Sequence, residues 1–296
     1  MRRPIAIEVA LNGPWGQARV PHLPIAPEAL IAQGIACAEA GAAVIHLHAY
    51  DTATGRQNDD WRIYAGIIEG IRARVDAIVY PTIPLAGSGL SAGEGGEGEQ
   101  AGPEPGARFA HLEELGRRGL LDWAVVDPGS VNFLGADNTG TPFLYRNTVE
   151  EVRAALAIAS RHKLRPSYAI YEPGFARAGA VLAREARVKT PVYRLMFSDR
   201  FAWGFPPRVW ALEAYRALLA EVAPAAPWMV AGLGVDITPL IPAAVASGGH
   251  VRVGIEDAPW DSTRSNLDWV LLAVASVEAA GGAPMTAAQL SSSLSQ

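Results

Sequence analysis

The sequence predicts an α/β fold, a (β/α)8 TIM barrel, from three observations: eight short β-rich runs, helical patterns between them, and no early glycine-rich phosphate loop. The runs are Ala6 to Leu11, Val44 to Ala49, Ile78 to Ile83, Trp123 to Asp127, Ser167 to Tyr171, Val192 to Phe197, Trp228 to Leu233 and His250 to Ile255. Helical periodicity fills the intervals, as in Glu28 to Ala40 closed by Gly41, Asp60 to Arg74, Arg108 to Arg118, Val149 to His162 and Arg208 to Val222. The competing arrangement is an open doubly wound sheet, which places G-x-G-x-x-G after its first strand. Here that turn reads Leu11-Asn12-Gly13-Pro14-Trp15-Gly16 and does not fit.

A length of 296 residues suits one barrel domain over 1–296. Residues 87–106 are Gly-rich and acidic with no apolar period, which predicts a mobile loop leaving the third strand. On a barrel such a loop lies at the catalytic rim, either as a lid or as an insertion without a role.

A net charge of -5 with no run of Lys and Arg argues against a nucleic-acid partner. Small anionic substrates remain open, because one well-placed Arg matters more to them than global charge. The single cysteine, Cys37, excludes an intramolecular disulfide and a Cys-based zinc site. Met1-Arg2-Arg3-Pro4 runs into Glu8 and Asn12 instead of a long apolar stretch, a poor signal peptide. No segment reaches the ~18 apolar residues of a membrane helix. The expectation is a cytoplasmic protein without a membrane partner.

The sharpest local feature is Val44-Ile45-His46-Leu47-His48-Ala49. Side chains two apart on a strand project to one side, so His46 and His48 converge at the strand's C-terminal end, where barrel enzymes place their chemistry. A lone His is usually structural, whereas this pair points to a divalent metal. Such a site needs a third ligand. In His250-Val251-Arg252-Val253-Gly254-Ile255-Glu256-Asp257, strand parity puts Arg252, Gly254 and Glu256 on one face. Glu256 then completes a two-His, one-carboxylate set, Arg252 holds a substrate carboxylate or a developing oxyanion, and Asp257 is the natural general base. The bland alternative is an Arg-Glu pair that only fills the barrel.

The same parity aligns Glu8, Ala10 and Asn12 on the first strand, and Tyr80 and Thr82 on the third. Asn12 and Thr82 reach the rim as candidate substrate hydrogen-bonders. Glu8 is deeper and needs an interior cation such as Arg252. Ser130 and Asn132, after the fourth strand, either line the site or close a turn. Trp15, Tyr50, Tyr171 and Phe197 are candidate pocket walls or core. His250 begins its strand and reads as structural, and nothing pairs His22, His111 and His162.

The sequence resembles the β-keto acid cleavage enzymes, whose founding activity acts on 3-keto-5-aminohexanoate. The resemblance covers nearly the whole chain and is carried by Pro21-His22-Leu23-Pro24, Glu39 to His48, Gly129-Ser130-Val131-Asn132-Phe133 and Gly248 to Asp257. It implies a (β/α)8 barrel, usually a homotetramer, with zinc or another divalent metal on His46, His48 and Glu256. It further implies condensation of a β-keto acid with acetyl-CoA as co-substrate, movement of CoA within the adduct, and retro-Claisen release of acetoacetate and a new acyl-CoA. Asp257 matches the family's acid/base, Arg252 its catalytic Arg, and Thr82 a hydroxyl that helps hold the keto acid.

The chain departs from the family pattern where the usual Ala-Arg-Asp is Ala49-Tyr50-Asp51, where a fifth-strand Pro-Glu-x-Glu is Pro166-Ser167-Tyr168-Ala169, and in its long acidic third loop. The missing fifth-strand carboxylates remove partners for a substrate amino group, so the aminohexanoate is not assigned. Two other readings compete. One is a metal-dependent hydrolase of the amidohydrolase type, which would add His on later strands. The other is a non-catalytic metal- or acyl-CoA-binding barrel.

Overall fold

The computed structural model describes residues 2–84, 105–137 and 142–295. Eight strands form one sheet: β1 (Ile7–Ala10), β2 (Val44–Leu47), β3 (Ile78–Pro81), β4 (Trp123–Val125), β5 (Arg165–Ile170), β6 (Val192–Phe197), β7 (Trp228–Gly232) and β8 (His250–Val253). Every ladder between them is parallel, in the order β3-β2-β1-β8-β7-β6-β5-β4. The end strands β3 and β4 lie side by side, which brings the sheet nearly closed as a (β/α)8 barrel. Strands buried on both faces need apolar residues throughout, and the described barrel strands are buried almost end to end.

The helices α1 (Pro27–Glu39), α2 (Trp61–Arg72), α3 (Ala110–Arg117), α4 (Val149–His162), α5 (Pro173–Ala186), α6 (Val209–Val222), α7 (Ile241–Ser247) and α8 (Asn266–Ala279) follow successive strands, and α9 (Ala287–Ser293) ends the chain. Their starts are set by side-chain caps: Asp60 accepts from Arg62 N, while Thr148 with Glu151 and Ser265 with Asp268 form capping boxes. On α2 the buried Tyr64, Ile67, Ile68 and Ile71 recur at helical spacing and turn one stripe to the barrel. No helix among the described residues is long and apolar enough to cross a membrane.

Three additions matter. An antiparallel hairpin pairs Tyr50–Asp51 with Arg56–Gln57 just beyond β2. A second pairs Val131–Phe133 with Phe143–Tyr145 beyond β4. At the opposite end, Arg3–Ile5 runs parallel to Gly282–Pro284. Of the stretch 87–106, residues through 104 lie outside the described residues; Pro105 and Gly106 turn into a 3-10 helix, Ala107–Phe109, that leads into α3.

One strand ends differently from its pattern. β8 stops at Val253, and Gly254 bends the chain at φ +136°, where a methyl group would stand 2.2 Å from the Ala10 carbonyl oxygen. Only glycine tolerates that combination. Glu256 therefore reaches the interior from a turn and not by strand alternation, as parity had it.

Candidate metal centre

Ladder register sets the site's neighbours. Ala10 pairs with His46, and His46 with Tyr80, while Glu8 pairs with Arg252. His46 and His48 leave the end of β2 on the barrel side, and the turn after Gly254 carries Glu256 to meet them. One ligand atom from each of the three lies within 4.8 Å of the other two. His46 Nε2 is 3.5 Å from Glu256 Oε2, and His48 Nε2 is 3.5 Å from Glu256 Oε1.

Those contacts are too long for hydrogen bonds but suit a shared ion, since two ligands at ordinary zinc bond lengths on a tetrahedral centre stand roughly 3.4 Å apart. The donor set fits as well. His46 Nδ1, His48 Nε2 and Glu256 Oε2 are buried without a hydrogen-bond partner. Burial drives the His46 pKa well below its ordinary value, against the pull of Glu256, so the imidazole is neutral and able to ligate. Burial opposes ionisation of Glu256, yet the Arg252 guanidinium outweighs it and holds the carboxyl well below the usual range. The three residues can coordinate a divalent metal.

Neighbouring side chains aim these ligands. His48 Nδ1 is 2.9 Å from Gln57 Oε1, so Nδ1 carries the proton and Nε2 the lone pair. The Gln57 amide donates to Asp59, at 3.0 Å to Oδ1, and Asp59 also accepts from the Tyr64 hydroxyl. Asn12 clasps the His48 backbone: its Oδ1 accepts from His48 N at 2.8 Å and its Nδ2 donates to His48 O at 2.9 Å and to Pro24 O. Asn12 is fully buried and holds a ligand's main chain. Trp15 Nε1 donates to the Glu256 carbonyl at 3.0 Å, and a methyl on Gly13 would stand 2.7 Å from Glu256 Cγ.

Behind Glu256, Arg252 is almost wholly buried among three carboxylates. Its Nε and Nη2 donate to Asp257 at 2.8 Å each, Nη1 donates to Glu8 at 3.0 Å, and Nη2 lies 3.1 Å from Glu256. Burial pushes the Asp257 carboxyl up to about 6, with Glu256 and Glu8 adding to the rise and Arg252 opposing it. Glu8 also accepts from Tyr80 at 2.7 Å.

In front of the ligands lies a cavity of about 520 Å³, its open mouth included. Its wall contains His46, His48, Glu256 and Thr82 from the expected set, and Trp15 and Tyr171 from the candidate walls. Thr82 keeps a near-free hydroxyl, with one 3.4 Å contact to the Ile83 carbonyl, while its own carbonyl is held by His111 Nε2 at 2.8 Å. Neither Tyr50 nor Phe197 lines the cavity: Tyr50 donates to the Gly13 carbonyl, and Phe197 packs on Tyr215. Ser130 is exposed, and its hydroxyl donates to Asn147 O and accepts from Asn147 N, closing the turn. Asp257 and Arg252 form no part of the wall.

Sequence reasoning passed over Arg194, Asp127 and Tyr145, which face the metal ligands across the cavity. For Arg194 a signal existed, a lone charge within the apolar run Val192 to Phe197. Gln57 and Tyr145 lie on hairpins whose folding back no local pattern announces.

Curated proteins resemble the chain along most of its length. It is 28% identical over 275 residues to the 3-dehydrocarnitine:acetyl-CoA trimethylamine transferase of Rhizobium meliloti (strain 1021), covering 87% of this chain and 84% of that one. It is 24% identical to the 3-oxoadipate:acetyl-CoA acetyltransferase of Cupriavidus necator, with 87% and 81% covered. Among solved structures, the binary complex of ObcA with oxaloacetate superposes with a TM-score of 0.73 at 18% identity, over 93% of this chain and 67% of that one, a likeness of fold. The model of the beta-keto acid cleavage enzymes matches residues 4–295, and the chain belongs to that family.

Proposed function

We propose that the protein condenses a β-keto acid with acetyl-CoA and releases acetoacetate and a new acyl-CoA, using zinc or another divalent metal on His46, His48 and Glu256. The observation that carries this reading is the convergence of those three ligands directly in front of the Arg252–Asp257 pair. A bound metal would supply Lewis acidity toward the β-carbonyl oxygen.

The chain's own residues account for the proton traffic. Asp257, lifted to about 6 by burial, is suited to take a proton from C2 of the keto acid at neutral pH. It lies behind the wall with both oxygens on Arg252, so proton transfer requires its carboxylate to turn past Glu256 toward C2. The resulting carbanion attacks the acetyl thioester carbonyl, forming the C–C bond and freeing CoA thiolate. The thiolate then attacks the keto carbon, and the original C2–C3 bond breaks. The acyl group leaves on sulfur, and C2 recovers the proton from Asp257 as acetoacetate. Arg252 keeps a positive charge beside Asp257 throughout, and Thr82 offers its hydroxyl to a keto-acid oxygen.

Two further facts support acetyl-CoA. Both relatives named above carry acetyl-CoA in their described activity. Trp260 packs on the cavity-lining Trp15, and the guanidinium carbons of Arg19 and Arg200 stand 4.3 and 3.5 Å from its ring, with no carboxylate on either among the described residues. Burial and then the charge of Arg200 lower the Arg19 pKa, a like-charge pairing that phosphate groups would relieve. Asn12 and Ser130 serve this reading indirectly, by fixing His48 and the fourth-strand turn. The homotetramer belongs to the same proposal, with the exposed Val209 and Trp210 on α6 and Leu271 on α8 as apolar surface for it.

The test is metal-loaded protein incubated with acetyl-CoA and a panel of 3-keto acids, read by mass spectrometry. Paired appearance of acetoacetate and a new acyl-CoA is the expected result. Hydrolysis of amides or lactams without acyl exchange would select the amidohydrolase-type reading. Binding of acetyl-CoA with no turnover of any keto acid would select the non-catalytic barrel.

A further inference from the structure

A β-keto acid is an anion, so the barrel must hold at least one carboxylate. Arg252, the cation expected for that task, has no capacity left: Asp257, Glu8 and Glu256 surround it and it takes no part in the cavity wall. Arg194 is in the opposite condition. It is 4% exposed, lines the cavity across from the metal ligands, and has five N–H donors. Among the described residues those donors make one hydrogen bond, from Nη2 to the Ser167 carbonyl at 3.3 Å, and the buried Nε has no partner.

Asp127 pairs with this guanidinium by charge but does not fill its donors. It stands 3.5 Å from Nη2, beyond hydrogen-bond length, and its oxygens are already occupied: Oδ2 accepts from Tyr145 at 2.7 Å and Oδ1 from Ala169 N at 3.1 Å. A buried guanidinium with empty donors is costly unless a ligand fills them. Ser167 stands beside it on β5 and brings no charge of its own. The wall thus offers a planar, fork-shaped set of unfilled donors deep in the cavity, with Asp127 and Glu256 as its acidic neighbours.

We propose that Arg194 is the carboxylate-binding residue of the cavity and sets the substrate class: acids that present a carboxylate to β6, and not acids ending in an ammonium group. The claim rests on the proposed keto-acid reaction but is read by binding. The carboxylate held is either the one common to every β-keto acid or a second one at the far end of a keto diacid.

The experiment is isothermal titration of metal-loaded protein with succinate and glutarate, and with the matched monoanions butyrate and pentanoate, for wild type, Arg194→Gln and Arg194→Lys. Wild type is expected to bind, and Arg194→Gln to lose about 10- to 100-fold in affinity. Arg194→Lys, which keeps the charge without the planar fork, should fall between and carries the test if the Gln variant does not fold. Equal loss for both series assigns the common carboxylate; loss confined to the diacids assigns the distal one. Binding of both series by either variant as tightly as by wild type would overturn the proposal, as would the absence of binding to wild type. Dependence on Arg194 without any acyl exchange would instead sink the proposed reaction and leave this residue's role intact.

Discussion

Arg252 holds Asp257 through two parallel contacts of 2.8 Å, Nε to Oδ2 and Nη2 to Oδ1, buried directly behind the ligand Glu256. The same guanidinium reaches Glu8 and Glu256, so its removal leaves three buried carboxylates without their common cation. Breaking a buried pair by deleting one partner costs about 3–5 kcal/mol. Arg252→Met is therefore expected to lower unfolding free energy by at least that order, measured by denaturant melts. Arg252→Lys should retain more of the stability and still lose turnover, because an ammonium cannot reproduce the planar contact to Asp257.

Metal content follows the ligands. Elemental analysis should find a divalent ion near one per chain in wild type and none in the His46→Ala/His48→Ala protein. Gln57→Leu removes only the partner of His48 Nδ1 and should weaken metal affinity about 10- to 100-fold, with the fold intact. Unchanged affinity in that variant would mean that the hairpin does not set the imidazole's tautomer.

Gly13→Ala separates ligand position from stability. Its new methyl would overlap Glu256 Cγ at 2.7 Å, so the carboxylate must move. The expected outcome is a loss of metal affinity far larger than any shift in the melting temperature of the metal-free protein.

His250, at the far end of the barrel, gives a pH signature independent of the metal. Its Nδ1 accepts from Ala6 N at 3.2 Å, and burial pushes its pKa down to about 4. An unfolded His titrates near 6.5, so above that pH both states are neutral and the linkage is silent. Between about 6.5 and 4 the unfolded chain takes up a proton that the folded one refuses, and stability falls. His250→Gln should show a shallower fall over that window in denaturant midpoints.

The arginines beside Trp260 make a prediction about the co-substrate. Arg19→Ser/Arg200→Ser should raise the KM for acetyl-CoA by about tenfold or more, while an acetyl thioester of pantetheine, lacking the nucleotide, is used as before. An equal change for both thioesters would place CoA's phosphates elsewhere.

The barrel was legible because β-rich runs and helical stripes alternate with little interruption, and His46 and His48 declared a shared face through a spacing of two. Glu256 was picked out by an argument that the backbone does not follow: the strand ends at Val253, and a positive-φ glycine pressed on Ala10 redirects the chain. Alternation named the right residue, although a turn and not the strand delivers it. Asn12 was expected to reach substrate at the rim, yet it is fully buried and all its bonds go to main chain, a choice that depends on where Pro24 and His48 come to rest. Arg194 and Asp127 became neighbours only when β4 and β6 flanked β5, and no window along the sequence contains that event.

The two hairpins on the rim have unequal freedom to diverge. Barrel enzymes acquire new specificities by exchanging rim loops on a constant scaffold. The hairpin after β2 cannot take part, since inserting or deleting a residue would carry Gln57 away from His48. The hairpin after β4 brings Phe133, Phe143 and Tyr145 to the cavity, and among the described residues none of them hydrogen-bonds a metal ligand. Diversification of this lineage, in nature or in a directed library, would run through Val131–Phe133 and Phe143–Tyr145 while the segment 50–57 stays fixed.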